Sequence, residues 1–252
     1  MTNILISGIL GHMGRNVYEL AAVDADVRCV CGVDLREEAF CGVPVYDCFN
    51  KVKEPVDVVI DFSSAANLAN ILAYCGRTGC GVILAATGYT EADLAAIDAA
   101  AKTFPVFKTA NLSVGVNLLQ KLVKEAAAFL GEAFDIEIVE KHHNLKKDAP
   151  SGTALMLAES ANEGAGGTKH FLYGREGMVG ARDKAEIGIH AVRGGTIVGE
   201  HEVLFAGEDE ILTLSHSARS KKVFAAGALR AAKFLKGRPA GRYDMNDVLA
   251  AL

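Results

Sequence analysis

Residues 3–14, NILISGILGHMG, decide the fold of this 252-residue chain. An apolar run of the kind that forms a buried strand ends at Gly8, and glycines recur every third residue at Gly11 and Gly14. Glycines at a strand-to-helix turn permit the tight turn, let a phosphate approach the backbone, and let the helix pack closely on the strand. The pattern predicts a helix that begins at about His12, with a dinucleotide phosphate at its N-terminus.

An acidic residue supports this interpretation. A second apolar run, residues 27–34, ends at Asp34, 20 residues after the last glycine, where a carboxylate can accept hydrogen bonds from the ribose of an adenine dinucleotide. The spacing G-x-x-G-x-x-G is less usual than G-x-G-x-x-G, so the glycines could instead serve only the shape of a turn. Asp34 would repel a ribose phosphate whereas Arg36 and Arg15 could bind one, so both NADH and NADPH are expected, with NADH at least as good.

The rest of the first half repeats the alternation of strand and helix. Strands are expected at residues 56–62, 81–87 and 105–109, and helices at about 65–78 and 91–102. Continuous apolar strands separated by helices predict a parallel sheet covered on both faces. The expected fold class is α/β, with a Rossmann-type doubly wound sheet.

After about residue 110 the pattern changes. A helix is expected over residues 116–130, then a strand at 135–143, and then β-like runs at 186–193, 196–205 and 210–216. Runs joined by glycine turns predict a second, α+β domain with an open mixed, mostly antiparallel sheet. The expected domains are 1–112, binding the dinucleotide, and 113–222, binding substrate and forming the oligomer, with a final helix at about 223–252 packing on the first.

Residues 140–154, EKHHNLKKDAPSGTA, concentrate positive charge in a chain whose formal net charge is -5. His142 and His143 end the expected strand, and imidazole can deliver a proton near neutral pH. Lys146 adds a further cation. Such a run could also be a solvated basic loop, which is the usual role of clustered surface charge.

The start of a helix favours a binding site over a solvated loop. Ser151 has the side chain of an N-cap, and apolar residues follow it at helical spacing. The N–H groups of Gly152 and Thr153 could then bind a carboxylate directly. A small anionic substrate is therefore expected beside Lys146 and the two histidines.

Composition excludes several classes of protein. No long basic stripe suggests nucleic acid, no apolar run is long enough to span a bilayer, and the first residues lack the features of a signal peptide. The six cysteines all lie between Cys29 and Cys80 without a C-x-x-C pair or zinc-finger spacing. They are expected to be small buried side chains in a reducing, cytoplasmic protein without a metal.

The run EIVEKHHNLKKDAPSGTA, residues 137–154, resembles the signature of the 4-hydroxy-tetrahydrodipicolinate reductase family, also called dihydrodipicolinate reductase. The resemblance continues through NLSVGVN at 111–117, YGREGMVGAR at 173–182 and IGIHAVRGGTIVGEHEV at 187–203, and into the last helix. It implies a homotetramer that uses NADH or NADPH to form tetrahydrodipicolinate in the diaminopimelate route to L-lysine. It also implies that His142 is a proton donor or acceptor, that Lys146 is a proton donor, and that substrate carboxylates are held by His143, Gly152 and Thr153.

The resemblance further implies the cofactor contacts. The pyrophosphate contacts are Gly8, Ile9, Leu10, Gly11, His12 and Met13, the ribose contact is Asp34, and the nicotinamide side is lined by Ala85, Ala86, Thr87, Ala110, Asn111, Leu112 and Ser113. The sequence departs from the family pattern in two places. Alanines stand at 85 and 86, where the family usually has Gly-Thr. Lys221 stands where an arginine is common; lysine keeps the charge but lacks the guanidinium group that can bind a phosphate through two hydrogen bonds.

Other functions remain open at this point. The cofactor half would suit another two-domain dehydrogenase, such as one acting on homoserine or a sugar, because fold does not fix function. A dinucleotide-sensing regulator would need a basic DNA-binding helix pair, for which the sequence offers no candidate. Hydrolase motifs are lacking as well. The histidines His170, His190, His201 and His216 receive no role, and His190 and His201 are expected to be structural.

Overall fold

The computed structural model describes residues 1–251 and divides into two compact units. The first unit comprises Met1–Ser113 and Lys222–Leu252, and the second comprises Val114–Lys221. None of the helices in the described part of the chain is long and apolar enough to cross a membrane.

The regular elements alternate through most of the chain. The strands are β1 (Thr2–Ser7), β2 (Val27–Val33), β3 (Glu38–Phe40), β4 (Val43–Tyr46), β5 (Val58–Asp61), β6 (Gly81–Leu84), β7 (Pro105–Lys108), β8 (Asp135–His142), β9 (His170–Tyr173), β10 (Glu186–Arg193), β11 (Gly199–Ala206), β12 (Ile211–Ala218) and β13 (Gly241–Tyr243). The α-helices are α1 (His12–Ala21), α2 (Leu68–Thr78), α3 (Glu91–Ala100), α4 (Val114–Leu130), α5 (Gly152–Gly164), α6 (Lys222–Leu235) and α7 (Met245–Ala250).

The first unit is built on an eight-stranded sheet in the order β13-β7-β6-β5-β1-β2-β4-β3. Every pairing is parallel except the β3–β4 hairpin. All four residues of β5 and of β6 are buried, as expected for parallel strands covered on both faces. The predicted Rossmann-type doubly wound sheet is confirmed.

Helices cover this sheet and fix the position of its strand ends. Helices α2 and α3 share a core with the sheet through Ile71, Ile97 and Val82. Helix α6, from the C-terminal part of the chain, contacts α1, β5 and β6. The short strands β3, β4, β9 and β13 were not predicted, because strands of three or four residues, one of them containing Pro44, carry little periodic signal. The final helix expected over about 223–252 ends at Leu235 instead, since Gly237 has a φ of +72° and β13 and α7 follow it.

The second unit contains a five-stranded sheet in the order β12-β11-β8-β10-β9. The sheet is mixed, as predicted, but antiparallel pairing does not predominate. Strand β11 pairs antiparallel with β12 and β8, whereas β10 pairs parallel with β8 and β9. Because β8 lies between β10 and β11, the turn at Gly194 and Gly195 joins strands that are not neighbours.

Strand β8 carries the core of this unit toward the site. Its burial alternates, with Ile136 and Ile138 facing α4 and α5 in the apolar core. Because side chains alternate between the two faces of a strand, Glu140 and His142, which follow Ile138 at every second residue, lie on that same face. A buried carboxylate and a buried imidazole therefore extend the core face at the end of β8.

Candidate active site

A cavity of about 660 Å3 opens beyond the carboxyl ends of β1, β2 and β5. Gly8, Gly11, Asp34 and Ser63 are among its lining residues. Strand β1 has β2 on one side and β5 on the other, so the cavity lies at the switch point where open α/β sheets bind ligands. Its volume is in the range of sites for small molecules and parts of cofactors.

The glycine turn has the geometry that phosphate binding requires. Gly8 has a φ of +79°, and its N–H donates to the carbonyl oxygen of Val33 at 2.8 Å. A Cβ on Gly14 would lie 2.2 Å from the carbonyl oxygen of Gly8, so only glycine allows α1 to pack this close to the turn. The N-cap of α1 is Gly11, which supplies no side-chain acceptor, and this suits an anion at the helix start.

Asp34 organises this turn from the end of β2. Its Oδ2 accepts the N–H of Leu10 at 2.8 Å, and its Oδ1 accepts the N–H of Leu35 at 2.8 Å. Each carboxylate oxygen has two lone pairs, so the same group retains acceptor capacity for ribose hydroxyls. The acidic residue therefore ties the glycine turn to the cavity wall.

Most of the residues expected to contact the cofactor lie outside the lining of this cavity. Of the expected set, only Gly8, Gly11 and Asp34 line the cavity. The Ile9 side chain is fully buried, which leaves only its backbone for a ligand, and Leu112 is buried with its carbonyl oxygen against Gly227 of α6. The remaining expected residues differ in exposure. The exposed ones are His12, Thr87 and Ala110, the half-buried ones are Leu10, Met13, Ala85, Ala86 and Asn111, and the buried one is Ser113.

The second unit holds a buried charge network centred on Glu140, which is 0% exposed. Arg193 donates to both carboxylate oxygens, from Nη1 to Oε2 at 2.8 Å and from Nη2 to Oε1 at 2.7 Å. The N–H of Ser151 donates to Oε1 at 3.0 Å. Burial opposes ionisation of Glu140, but the hydrogen bonds from Arg193, His142 and Ser151 outweigh it and hold the pKa of Glu140 below its ordinary value.

His142 is oriented by this carboxylate. Its Nδ1 lies 2.6 Å from Oε2 of Glu140, and because an ionised carboxylate only accepts, Nδ1 carries the hydrogen. Its Nε2 faces β11, where a Cβ on Gly199 would lie 3.1 Å away. The ring of His201 meets the imidazole edge-on at 5.2 Å between centroids. Nε2 is therefore the nitrogen left to exchange a proton.

The start of α5 adjoins this network. Ser151 is the N-cap, and its Oγ accepts the N–H of Ala154 at 3.2 Å, which confirms the predicted helix start. His201 Nε2 lies 3.0 Å from the same Oγ, and burial, with a smaller contribution from His142, lowers the pKa of His201 to about 4. Gly152 is exposed, with no atom within 4 Å of the place where a Cβ would stand. A ligand can therefore approach its backbone.

Lys146 and His143 lie in the loop between β8 and α5. The Nζ of Lys146 is 2.9 Å from Oδ1 of Asp148, whose side chain is 61% exposed. The hydrogen bond from Lys146 lowers the pKa of Asp148. Because the Asp148 side chain is largely in solvent, this ion pair contributes little to stability, so a substrate carboxylate could replace Asp148. The Nδ1 of His143 is buried without a hydrogen-bond partner among the described residues.

Sequence reasoning missed three members of this site, namely Glu140, Arg193 and His201. Glu140 could have been found from the sequence, because it alternates with Ile136 and Ile138 along β8 and so lies on the buried face of the strand. A buried acid needs a cation to compensate its charge. Arg193 and His201 come from β10 and β11, and only the sheet order brings them beside β8. His201 was expected to be structural and received no role, but the structure places it in contact with Ser151 and His142.

We expect Gly199→Ala to lower turnover about tenfold or more, because displacements of an ångström or less at a reacting group can cost up to about a hundredfold. The added methyl group would stand 3.1 Å from Nε2 of His142, so one of the two must shift. Gly194→Ala is the matched control, since a Cβ there meets nothing within 4 Å. Steady-state kinetics and thermal unfolding of both variants make the comparison, and equal turnover in both would contradict the assigned role of Nε2.

Among the described residues, no group of three or more His, Cys, Asp or Glu side chains could hold a metal ion. The expectation of buried cysteines holds for Cys31, Cys75 and Cys80, whereas Cys29 is half-buried and Cys41 and Cys48 are exposed. The buried thiols of Cys75 and Cys80 lie within 3.6 Å of each other.

Comparison with known proteins agrees with this architecture. The solved structure of dipicolinate-bound dihydrodipicolinate reductase from Paenisporosarcina sp. TG-14 superposes with a TM-score of 0.82 at 24% identity, over 98% of this chain and 99% of that one. A myo-inositol dehydrogenase from Corynebacterium glutamicum gives a TM-score of 0.61 at 13% identity, over 100% of this chain and 93% of that one. At these identities both similarities concern the fold.

Sequence similarity is closer and covers the whole chain. The 4-hydroxy-tetrahydrodipicolinate reductase of Caldanaerobacter subterraneus subsp. tengcongensis is 49% identical over 249 residues, covering 99% of this chain and 98% of that protein. The reductase of the same name from Clostridium tetani is 41% identical, covering 99% and 97%. Residues 2–112 match the family model for the N-terminus of dihydrodipicolinate reductase, and residues 115–249 match the model for its C-terminus. With both halves matched in order and the resemblance of residues 137–154 thereby confirmed, this chain belongs to the 4-hydroxy-tetrahydrodipicolinate reductase family of oxidoreductases.

Proposed function

We propose that the protein reduces 4-hydroxy-tetrahydrodipicolinate to tetrahydrodipicolinate with NADH or NADPH, in the diaminopimelate route to L-lysine. In the overall reaction the substrate gains a hydride and a proton and loses water, while the nicotinamide is oxidised. The observation that carries this proposal is the orientation of His142, whose Nδ1 is held by Glu140 while its Nε2 is left for proton exchange. The exposed start of α5 in the same unit supplies a place for a carboxylate.

The first unit suits the cofactor. The glycines of the turn let the pyrophosphate approach the backbone closely, and the uncapped start of α1 offers N–H groups to it. Asp34 offers carboxylate oxygens to the ribose. The expected nicotinamide residues follow β6 and β7, whose carboxyl ends share an edge with the cavity. When bound, the reduced nicotinamide supplies the hydride.

The second unit suits a small dicarboxylate. The N–H groups at Gly152 and Thr153 lie in the first turn of α5, where the helix dipole also favours an anion. Lys146 and His143 add charge and a donor from the preceding loop. The relative from Paenisporosarcina carries dipicolinate, a planar dicarboxylate, and this supports the assignment of the same ligand class.

The proton would come from His142 and Lys146. Hydride arrival leaves electron density on the substrate ring, and a cationic or protonated group must stabilise it. His142 can give a proton from Nε2 while Glu140 stabilises the ring through Nδ1. Lys146 provides a second cation that is only 20% exposed.

Pyridine-2,6-dicarboxylate should compete with the substrate, and this competition tests the site. We expect Gly152→Pro to raise its inhibition constant about tenfold or more, because the change removes one hydrogen bond to a charged group, worth about 1.5–3 kcal/mol. Proline is tolerated at the first helical position, and Ser151 before it is already extended, with φ of -67° and ψ of 152°.

Gly152→Ala is the matched control for this variant. It keeps the N–H, and its methyl group meets no atom within 4 Å, so its inhibition constant should stay close to wild type. Initial rates measured at a fixed cofactor concentration give the inhibition constants of the wild type and of both variants. No competition by the dicarboxylate at millimolar concentration, or equal constants in the proline and alanine variants, would count against carboxylate binding at Gly152.

Cofactor choice can be tested at Asp34. We expect Asp34→Ala to raise the Michaelis constant for NADH more than that for NADPH, because the variant loses ribose hydrogen bonds but also loses a charge that repels a ribose phosphate. Both constants should rise somewhat, since Leu10 and Leu35 lose their acceptor. Asp47→Ala is the control, because Asp47 also lines the cavity but pairs with Lys51. An equal rise for both cofactors would assign Asp34 to the turn alone.

We also propose that the protein is a homotetramer assembled through the second unit, as the family resemblance implies. Large apolar side chains on the strands of this unit support an interface there. Ile211 and Leu212 on β12 are 65% and 42% exposed, and Tyr173 at the end of β9 is 61% exposed. Strands β12 and β9 are the two edges of the sheet, and an edge strand has unpaired backbone groups with which another chain can pair.

A further inference from the structure

We propose that Glu140 is a positioning residue that fixes both the proton-exchanging nitrogen of His142 and the start of α5. The inference rests on the proposed function and adds to it a residue that acts through the imidazole and the helix rather than on the substrate. The buried carboxylate of Glu140 accepts four hydrogen bonds, and their donors lie on different elements of the second unit.

Both oxygens of Glu140 are fully occupied. Oε1 accepts from the N–H of Ser151 at 3.0 Å and from Nη2 of Arg193 at 2.7 Å. Oε2 accepts from Nη1 of Arg193 at 2.8 Å and from Nδ1 of His142 at 2.6 Å. A carboxylate has about four lone-pair sites. All four are directed at groups from β8, β10 and the start of α5, so the carboxylate joins these three elements.

The contact with His142 determines its tautomer and its orientation. Nδ1 must carry the hydrogen, and the ring is held with Nε2 toward β11. The other ionisable groups beside the ring are His201 from β11 and Arg193, which pairs with His142 in the register of β10 and β8. His216 of β12 and Lys146 in the loop lie near His201. Of these, none has a hydrogen bond to either nitrogen of His142 among the contacts described above. Glu140 is thus the group that sets which nitrogen faces the substrate.

The contact with Ser151 extends the same control to substrate binding. Its N–H is anchored on Oε1, its Oγ caps α5, and His201 lies against that Oγ. The next residues in the chain are Gly152 and Thr153, which are proposed to hold a carboxylate. A change at Glu140 should therefore affect both turnover and the binding of the dicarboxylate, whereas a purely structural ion pair with Arg193 should affect only stability.

The test is Glu140→Gln, which keeps the shape but turns one acceptor oxygen into an NH2 donor. We expect turnover to fall at least about a hundredfold, since loss of an orienting carboxylate beside a catalytic histidine can cost about ten-thousandfold through the wrong tautomer. The inhibition constant for pyridine-2,6-dicarboxylate should rise severalfold, and cofactor affinity should not change. Nitrogen NMR of histidine-labelled protein should show Nδ1–H for His142 in the wild type and Nε2–H or a mixture in the variant, with His142→Gln identifying the signal.

Glu137→Gln is the matched control. Glu137 lies on the same strand but on the opposite face, where it accepts hydrogen bonds from Arg175, Arg182 and His190. Its replacement removes a comparably paired carboxylate without touching His142, so the tautomer and the inhibition constant should stay as in the wild type.

A second variant covers the case in which Glu140→Gln does not fold. Glu140→Asp keeps the charge beside Arg193 but is one methylene shorter, so its carboxylate cannot keep the contacts with both His142 and Ser151. It should also lose turnover or dicarboxylate affinity. If folded Glu140 variants keep the wild-type tautomer, turnover and inhibition constant while His142→Gln is inactive, the positioning role is overturned and the proposed function stands. If His142→Gln itself stays active, the proposed function fails first.

Discussion

His142→Gln and Lys146→Ala should each lower turnover about a hundred- to ten-thousandfold, which is the usual contribution of general acid–base catalysis. Glutamine cannot release a proton from the place of Nε2, and alanine removes the cation that would stabilise charge on the substrate ring. Cofactor affinity should change little, because the cavity residues belong to the first unit. Steady-state kinetics, with cofactor affinity measured separately by fluorescence, distinguish the two effects.

Two further variants sharpen this prediction. His143→Ala should mainly raise the Michaelis constant for the substrate, because His143 is expected to hold a carboxylate. His190→Gln is a control for loss of an imidazole from the sheet, since His190 pairs with Glu137 on the opposite face, and it should keep near-normal turnover. Near-normal turnover of both His142→Gln and Lys146→Ala in folded protein would contradict the catalytic assignment.

Arg193→Ala should destabilise the second unit by about 3–5 kcal/mol, because removing one partner leaves a buried charge uncompensated. Glu140 is 0% exposed and would lose two of its four hydrogen bonds. Arg242→Ala is the control, since Arg242 pairs with Asp98, whose side chain is 69% exposed, and such surface pairs contribute about 0–1 kcal/mol. Urea unfolding followed by circular dichroism compares the two, and equal midpoints would contradict the role given to Arg193.

The same variant has an expected pH dependence. In the wild type the pKa of Glu140 is lowered, so its stabilisation is present above the unfolded-state pKa of about 4.3 and is lost as the pH falls through the folded value. In Arg193→Ala the buried carboxylate can become neutral by taking up a proton at acid pH. The difference in unfolding free energy between wild type and variant should therefore be largest near neutral pH and should shrink at acid pH.

Much of the fold follows from local sequence patterns. The run ending at Gly8 and the three glycines predict β1, the turn and α1 because each glycine has a separate steric reason, as the distance between a Cβ on Gly14 and the carbonyl of Gly8 illustrates. The apolar runs that became β5, β6 and β7 were equally clear, since strands buried on both faces contain little but apolar residues. The N-cap at Ser151 was predictable because capping is a local interaction.

The rest depended on contacts between distant parts of the chain. The pairing of β8 between β10 and β11 could not be read from turns, because glycines at 194 and 195 permit a turn without deciding which strands pair. Arg193 lies 53 residues after Glu140, and His201 lies 59 residues after His142. Only the register of the sheet brings these residues together. A search for motifs therefore missed Glu140, Arg193 and His201, whereas it found His142, Lys146 and Gly152 as candidates.

The measurement that tests the central claim most directly is oxidation of reduced nicotinamide by the purified protein, with and without 4-hydroxy-tetrahydrodipicolinate. The account predicts that NADH and NADPH are both consumed only when this substrate is present, with one tetrahydrodipicolinate formed for each nicotinamide oxidised. It also predicts that pyridine-2,6-dicarboxylate suppresses the reaction and that His142→Gln nearly abolishes it. Folded wild-type protein that oxidises neither cofactor in the presence of the substrate would contradict the account.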